Sequence, residues 1–245
     1  MSARVSRRAA SATPSIAPEV RVGFGRQLRS WYRRNARDLP WRRTRDPYQI
    51  LVSELMLQQT QVSRVVVKYG EFLERFPTLA HVARAKPARV MEAWEGLGYY
   101  ARARNLHRLA RKVTSANGAD SASVGQLPSE PEALRALPGI GAYTAGAVAS
   151  FAYERRAALV DTNVARVLKR AFVPNVQIKT TRGQRTIWGI ADAILPRTGR
   201  VTWTHNQALM ELGALVCTAR IAHCDQCPVR SYCVTGSKPS GRRAP

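Results

Sequence analysis

The sequence predicts an all-α fold, and three observations predict it. Apolar residues recur at helical intervals along most of the chain, and Pro and Gly cut them into segments of helix length. No two stretches alternate apolar and polar residues as paired strands would. At Leu137 to Asp161, Pro138, Gly139 and Gly141 form a tight turn with helical pattern on either side, because no helix continues through that combination.

In chain order, residues 1–18 are Ala, Ser, Arg and Pro with no acid, and are expected to be a disordered basic tail. A mitochondrial presequence has a similar composition. Val22, Phe24, Leu28, Trp31 and Tyr32 then set a helix over 20–35, and Asp38-Leu-Pro-Trp-Arg-Arg breaks it as an exposed loop. Pro47 opens a long apolar-rich helix running from Tyr48 to Tyr69. Short helices follow over 72–76, 79–85 and 87–95, separated by Pro77 and Pro87. Gly96-Leu-Gly-Tyr-Tyr is a turn, and 101–116 is a basic amphipathic helix. A helix opening near 128–131 leads into the glycine turn, and helices over 142–153, 163–172, 181–195 and 206–216 complete the set. No repeat at a solenoid period is present.

With 45% hydrophobic residues the chain can bury a proper core. Its net charge of +23 attracts polyanions, of which nucleic acid is the commonest. The first 45 residues alone hold 12 Arg against Glu19 and Asp38. No apolar run approaches the ~20 residues that span a bilayer, so no membrane partner is expected, and no secretory h-region follows the N-terminus. Around Gly139 and Gly141 the backbone N–H groups are free, and with the positive end of the following helix dipole they make a seat for a phosphate. The plain alternative is an αα-hairpin with no ligand.

All four cysteines, Cys217, Cys224, Cys227 and Cys233, lie within 17 residues in the pattern C-x6-C-x2-C-x5-C. Such clustering points to one shared ligand, and nothing suggests the oxidising compartment that disulfides need. A structural zinc site usually offers two C-x2-C knuckles and this segment has one; four thiolates also suit an iron–sulfur cluster. The spacing leaves both open.

Two carboxylates draw attention. Glu54 sits in Leu51-Val-Ser-Glu-Leu-Met-Leu; enclosed among those apolar neighbours its pKa would rise and it would serve as a general acid, whereas on the helix's polar stripe it is an ordinary surface glutamate. Asp161 precedes Thr-Asn-Val and reads as a helix N-cap, which is a complete structural explanation. Its functional alternative is a second carboxylate facing Glu54 across a cleft, since glycosidic cleavage wants one acid protonated and one ionised.

The chain resembles the helix-hairpin-helix DNA glycosylases and, within them, the adenine DNA glycosylases of the MutY type. The resemblance rests on Leu39-Pro-Trp-Arg, on the Ser53 to Val62 segment with its Gln-Gln-Thr-Gln, on Gly96-Leu-Gly-Tyr-Tyr-Ala-Arg-Ala-Arg-Asn-Leu, on the hairpin from Leu137 and Asp161-Thr-Asn-Val, on Asn206-Gln-Ala-Leu-Met-Glu-Leu-Gly-Ala, and on the four cysteines. These occur in family order over about residues 25 to 235. The hairpin alone is shared by many DNA-binding proteins; the Gln-Gln-Thr-Gln and Gly-Leu-Gly-Tyr-Tyr segments are more particular.

The resemblance implies a two-lobed fold: a six-helix barrel over 47–156, with the hairpin at 129–153, and a cluster lobe from 19–46 and 157–235, followed by a basic tail at 236–245. It implies a 4Fe-4S cluster on the four cysteines. It also implies that double-stranded DNA with a mismatched or oxidised pair lies across the cleft, and that the target adenine is rotated out of the stack, where its glycosidic bond can be reached. By position, Glu54 matches the general acid, Asp161 the carboxylate that stabilises the sugar cation, and Tyr143 an active-site tyrosine, with Asn163 beside Asp161. Leu39, Trp41, Arg42 and Gln207 match the walls of the base pocket. Gln59, Thr60, Leu97 and Tyr99 match residues that enter the duplex and contact the opposite purine. Gly139, Gly141 and Arg220 are expected on the DNA backbone. Tyr143 stands where lyase-competent relatives such as endonuclease III carry a lysine, so a monofunctional glycosylase is expected. A monomer is expected too, in the cytoplasm with the nucleoid, or in the mitochondrion or nucleus of a eukaryote.

Three departures from the family pattern bear on the base excised. The sequence ends 12 residues after Cys233, where the family continues into a domain that reads 8-oxoguanine, so that discrimination is expected to be weaker or to rest on Gln59, Thr60, Leu97 and Tyr99. Thr162 follows Asp161 where the adenine enzymes commonly have glycine. Tyr143 also suits mismatch-specific thymine glycosylases. The rival readings are therefore a thymine or uracil glycosylase acting on T·G or U·G, a non-catalytic DNA-binding relative, and a zinc-stabilised RNA-binding module.

Overall fold

A computed structural model describes residues 15–116 and 125–237. The greater part of the tail expected over 1–18, and residues 238–245 of the second tail, lie outside the described residues. Among the described residues the chain is helical with no strand; an isolated bridge pairs Cys217 with Ala222. The helices are α1 (Pro18–Asn35), α2 (Pro47–Leu57), α3 (Val62–Arg75), α4 (Leu79–Arg84), α5 (Pro87–Ala93), α6 (Ala101–Ala116), α7 (Pro131–Arg135), α8 (Ala142–Tyr153), α9 (Thr162–Phe172), α10 (Thr181–Ala193) and α11 (Gly199–Leu215). None of them is long and apolar enough to cross a membrane.

The chain divides into two compact units. One comprises Arg33–Leu159 and Pro196–Gln207; the other comprises the residues up to Tyr32, Val160–Leu195 and the residues from Ala208 on. Residues 33–46, 157–159 and 196–207, assigned by sequence to the cluster lobe, thus group with the first unit.

In the first unit α2 is the centre. Asp46 caps its N-terminus by accepting from the Gln49 N–H at 2.9 Å, and Pro47 occupies the first turn, where its missing N–H costs nothing. Every residue from Ile50 to Met56 is buried, so α2 is wrapped on all sides, by α8, α3 and α6. α8 is likewise buried from Thr144 to Phe151. Two expectations are corrected here. The segment 38–43 is exposed only at its ends, Asp38 and Arg43: Pro40–Arg42 is a single 3₁₀ turn that buries Leu39 and Trp41, with Trp41 edge-on to Tyr69 at 5.6 Å. The helix expected from Tyr48 to Tyr69 is two helices, because Gln59 adopts φ +55° and ends α2, a break with no Gly or Pro to announce it. Similarly, α11 begins seven residues before the start expected at Asn206.

The hairpin joins α7 to α8. Gly139 has φ +78°, and a Cβ there would stand 2.5 Å from that of Asn105 on α6, so both conformation and contact require glycine. Gly139→Ala is therefore expected to destabilise the fold by about 1–3 kcal/mol, read as a lower urea midpoint at unchanged m. Gly141 caps α8 with extended backbone and no side-chain hydrogen bond, and nothing lies within 4 Å of where its Cβ would be. The N-terminal N–H groups of α8 consequently have no side chain of the cap in front of them.

In the second unit Phe24 of α1 packs on Phe172 of α9 at 5.1 Å, and α10 packs on α9. Asp161 caps α9, Oδ1 accepting from the Val164 N–H at 2.7 Å. Arg170 on α9 and the C-terminal end of α11 lead into the cysteine segment.

Candidate active site

Glu54 is 3% exposed, in the last turns of α2, and is not a surface glutamate. The Tyr143 hydroxyl, on the first turn of α8, meets its Oε2 at 2.7 Å. The pair exists because α2 and α8, both buried on every side, pack directly on each other. One turn on, the Gln58 amide reaches the Thr144 hydroxyl at 3.5 Å. A buried carboxyl with a phenol against it can hold a proton and deliver it to a ligand atom. In the same unit Arg42 donates from Nε to Gln207 Oε1 at 3.0 Å and from Nη1 to the Arg37 carbonyl at 2.9 Å, so two of the four expected pocket residues are in contact. Leu39 and Trp41 share the turn that carries Arg42.

The residues expected to enter the duplex do not behave alike. Gln59 is exposed, and Tyr99 is 60% exposed with φ +45°. Leu97 is 4% exposed, which makes it a packing residue of the turn in this structure. Thr60 is half-buried and uses its hydroxyl on the carbonyls of Leu97, at 3.2 Å, and Gln58, at 3.4 Å.

Asp161 is the N-cap of α9, as one of the two sequence readings has it. While Oδ1 caps α9, Oδ2 accepts from the Asn163 amide at 3.1 Å. Burial pushes its pKa above the ordinary aspartate value; the Val164 N–H, Asn163 and the nearby Arg166 charge oppose this without reversing it. Asn163 in turn accepts from Arg166 Nη2 at 2.8 Å, and Arg166 Nε donates to the Cys217 carbonyl at 2.8 Å. Asp161 is thereby linked through two side chains to the first cysteine.

Cys217, Cys224, Cys227 and Cys233 line one cavity of about 340 Å³, with Arg170 and the exposed Arg220 on its wall. None of the four is in a disulfide. Arg170 Nη1 donates to Cys217 Sγ and the Gly236 N–H to Cys233 Sγ, each at 3.3 Å. Burial, with smaller contributions from the other three cysteines, pushes the Cys227 thiol up to about 11, and Cys233 moves the same way. Among the described residues no three His, Cys, Asp or Glu side chains form a group that could hold a metal ion. Four thiols lining one cavity are a donor set of the kind that iron–sulfur clusters take.

The family described as HhH-GPD superfamily base excision DNA repair protein matches residues 52–191. An adenine DNA glycosylase of Mycobacterium tuberculosis is 42% identical over 222 residues, covering 88% of this chain and 70% of that protein. The chain belongs to the HhH-GPD superfamily, in its adenine DNA glycosylase branch. The human adenine DNA glycosylase is 43% identical over 223 residues and 86% of this chain, which spans about two fifths of the length of the mammalian relatives. Among solved structures, a thermostable thymine-DNA glycosylase superposes with a TM-score of 0.79 at 28% identity, over 89% of this chain and 97% of that one.

Two buried polar residues of this family member escape sequence reasoning. Asn206 joins α11 to α8 and to the segment after it, donating to Ser150 Oγ and to the Ala157 carbonyl, both at 2.9 Å. Arg102, at the start of α6, is buried among backbone carbonyls. Its only signal in sequence is a place inside Gly-Leu-Gly-Tyr-Tyr-Ala-Arg, where a basic helix makes one more arginine unremarked.

Proposed function

We propose that this protein is a monofunctional DNA glycosylase of base excision repair that hydrolyses the N-glycosidic bond of adenine mispaired with 8-oxoguanine or guanine. The observation that carries the reading is the buried Glu54 with the Tyr143 hydroxyl at 2.7 Å. Adenine is a poor leaving group as an anion. The Glu54 carboxyl gives its proton to a ring nitrogen of the extruded base, the bond from C1′ to the base breaks with its electron pair going to the base, and the sugar is left as an oxocarbenium ion. The ionised Asp161 carboxylate stabilises or captures that cation. Water adds its oxygen to C1′ and passes its proton to a carboxylate, leaving an abasic site. Arg42 and Gln207, held to each other, supply hydrogen-bonding groups for the base, with Leu39 and Trp41 as apolar wall.

Duplex DNA is the partner, consistent with the net charge of +23. Its phosphates are held at Gly139, Gly141 and the open start of α8, and at Arg220; Gln59 and Tyr99 address the opposite purine. The four cysteines would hold a 4Fe-4S cluster, whose iron–thiolate bonds would tie residues 217–233 together. Their shared cavity supports this, and matched iron and sulfide content in the purified protein tests it.

The group against Glu54 is a phenol, which forms no Schiff base with the sugar, so the strand should stay intact. Single-turnover reaction with an end-labelled A·8-oxoguanine duplex tests this. Cleaved strand is expected only after alkali; cleavage without alkali would show lyase action. A second reading, excision of thymine or uracil opposite guanine, is favoured by the thymine-DNA glycosylase likeness and by Thr162 after Asp161. Those bases leave with less help from an acid, and Glu54 would then be a wall of the pocket.

A further inference from the structure

We propose that Arg102 is a positioning residue that ties the turn ending α2 to the turn before α6, and so fixes Gln59 and Tyr99 in the backbone conformation from which they engage DNA. This rests on the reading of Gln59 and Tyr99 given under Proposed function.

Arg102 is 6% exposed. Its Nη1 donates to the carbonyls of Leu55, Met56 and Gln58 at 2.7, 2.8 and 2.6 Å. Its Nη2 donates to the carbonyls of Leu97 and Gly98, both at 2.9 Å, and to Thr60 Oγ1 at 3.2 Å; Nε reaches the Tyr99 carbonyl at 3.3 Å. One side of the guanidinium thus takes the C-terminal carbonyls of α2, which carry the negative end of that helix's dipole, and the other side takes the glycine turn. These partners are neutral oxygens, the Trp94 and Tyr99 rings lie 5.6 and 5.7 Å from the guanidinium carbon, and burial lowers the Arg102 pKa from its ordinary value.

The position of the tie gives the reason. Gln59 and Tyr99, one on each side of it, both have positive φ, which is unfavourable for residues with a Cβ. Both are exposed, and the Tyr99 ring lies 5.7 Å from the Arg102 guanidinium carbon, so its side chain meets the same residue that holds its carbonyl. The carbonyls flanking them are the ones Arg102 holds. Thr60 adds a second strut by donating to the Leu97 carbonyl, and Arg64 a third by donating to the Gly96 carbonyl at 3.2 Å. A planar fork with donors on three nitrogens can span two turns at once, whereas a lysine ammonium has a single nitrogen and reaches one of them.

The test compares the full-length wild type with Arg102→Lys, using hydrogen exchange in the free protein and a duplex carrying fluorescent 2-aminopurine at the base to be extruded. The lysine variant is expected to exchange about tenfold or more faster at 58–61 and 96–100, with α8 unchanged, from the lost buried hydrogen bonds. Its rise in 2-aminopurine fluorescence should fall several-fold, while affinity for an undamaged duplex stays within about twofold, since backbone contacts supply most of that affinity. Wild-type exchange and wild-type extrusion in Arg102→Lys would overturn the proposal. If that variant does not fold, Thr60→Val, which removes only the hydroxyl strut, should move both readouts the same way by less; no movement there also overturns it. If the wild type extrudes the base yet releases no adenine, the proposed activity fails while the exchange data still judge the tie.

Discussion

A Glu54→Gln protein is expected to release adenine about 10³-fold more slowly than the wild type while binding the mispaired duplex with unchanged affinity. Gln has nearly the shape of Glu and keeps an acceptor for the Tyr143 hydroxyl, so the packing between α2 and α8 is conserved. What it lacks is a proton to give. A side chain that merely filled a pocket would tolerate the swap with a change of a few-fold, because volume is the same and the hydrogen bond survives. Single-turnover base release read beside an equilibrium binding titration separates these cases. Loss of binding in step with loss of release would remove Glu54 as the acid.

Asp161→Asn is the second large effect, and it separates capping from chemistry. Asn caps helices about as well as Asp, so α9 keeps its start in the variant. If capping were all that Asp161 did, the rate would hold. The proposed role requires a negative charge beside the sugar cation, and losing it is expected to cost about 10²–10³-fold in base release. The pH dependence has a definite sign. Burial raises the folded-state pKa of Asp161, so between the ordinary aspartate value and the raised one the folded chain binds more protons than the unfolded chain. The group's contribution to stability is therefore greatest below the ordinary value and declines as pH rises through the raised one. Activity runs the opposite way, since the carboxylate must be ionised: the acid limb of the rate should lie above the range of a free aspartate, and vanish in the variant. Thermal unfolding at neutral pH should show a midpoint no lower than that of the wild type.

Much of the architecture is legible in the sequence because Pro and Gly mark the ends of these helices. Pro47, Pro87 and Pro131 each open a helix, and Gly139 and Gly141 make the hairpin. The break at Gln58 to Gln61 is not legible, since three glutamines and a threonine carry no stop signal; tertiary hydrogen bonds from Arg102, and from Thr60 to the Leu97 carbonyl, hold it. Leu39-Pro-Trp-Arg reads as an exposed loop because local sequence does not say that Trp41 finds Tyr69. Glu54 is ambiguous for the same reason. On a helix buried all round, periodicity has no polar face to report, and whether a carboxyl is enclosed depends on what α8 brings against it. The four cysteines announce themselves by spacing, while Asn206 and the α2 half of the Arg102 tie depend on contacts 40 to 60 residues away in sequence.

The central claim is that adenine is the base released, and single-turnover release from four duplexes, A·8-oxoguanine, A·G, T·G and U·G, tests it most directly. Free adenine from the first two, with an intact abasic strand and no release from the others, is the predicted result. Release of thymine or uracil alone would contradict it and move the protein to the thymine glycosylase branch of its superfamily.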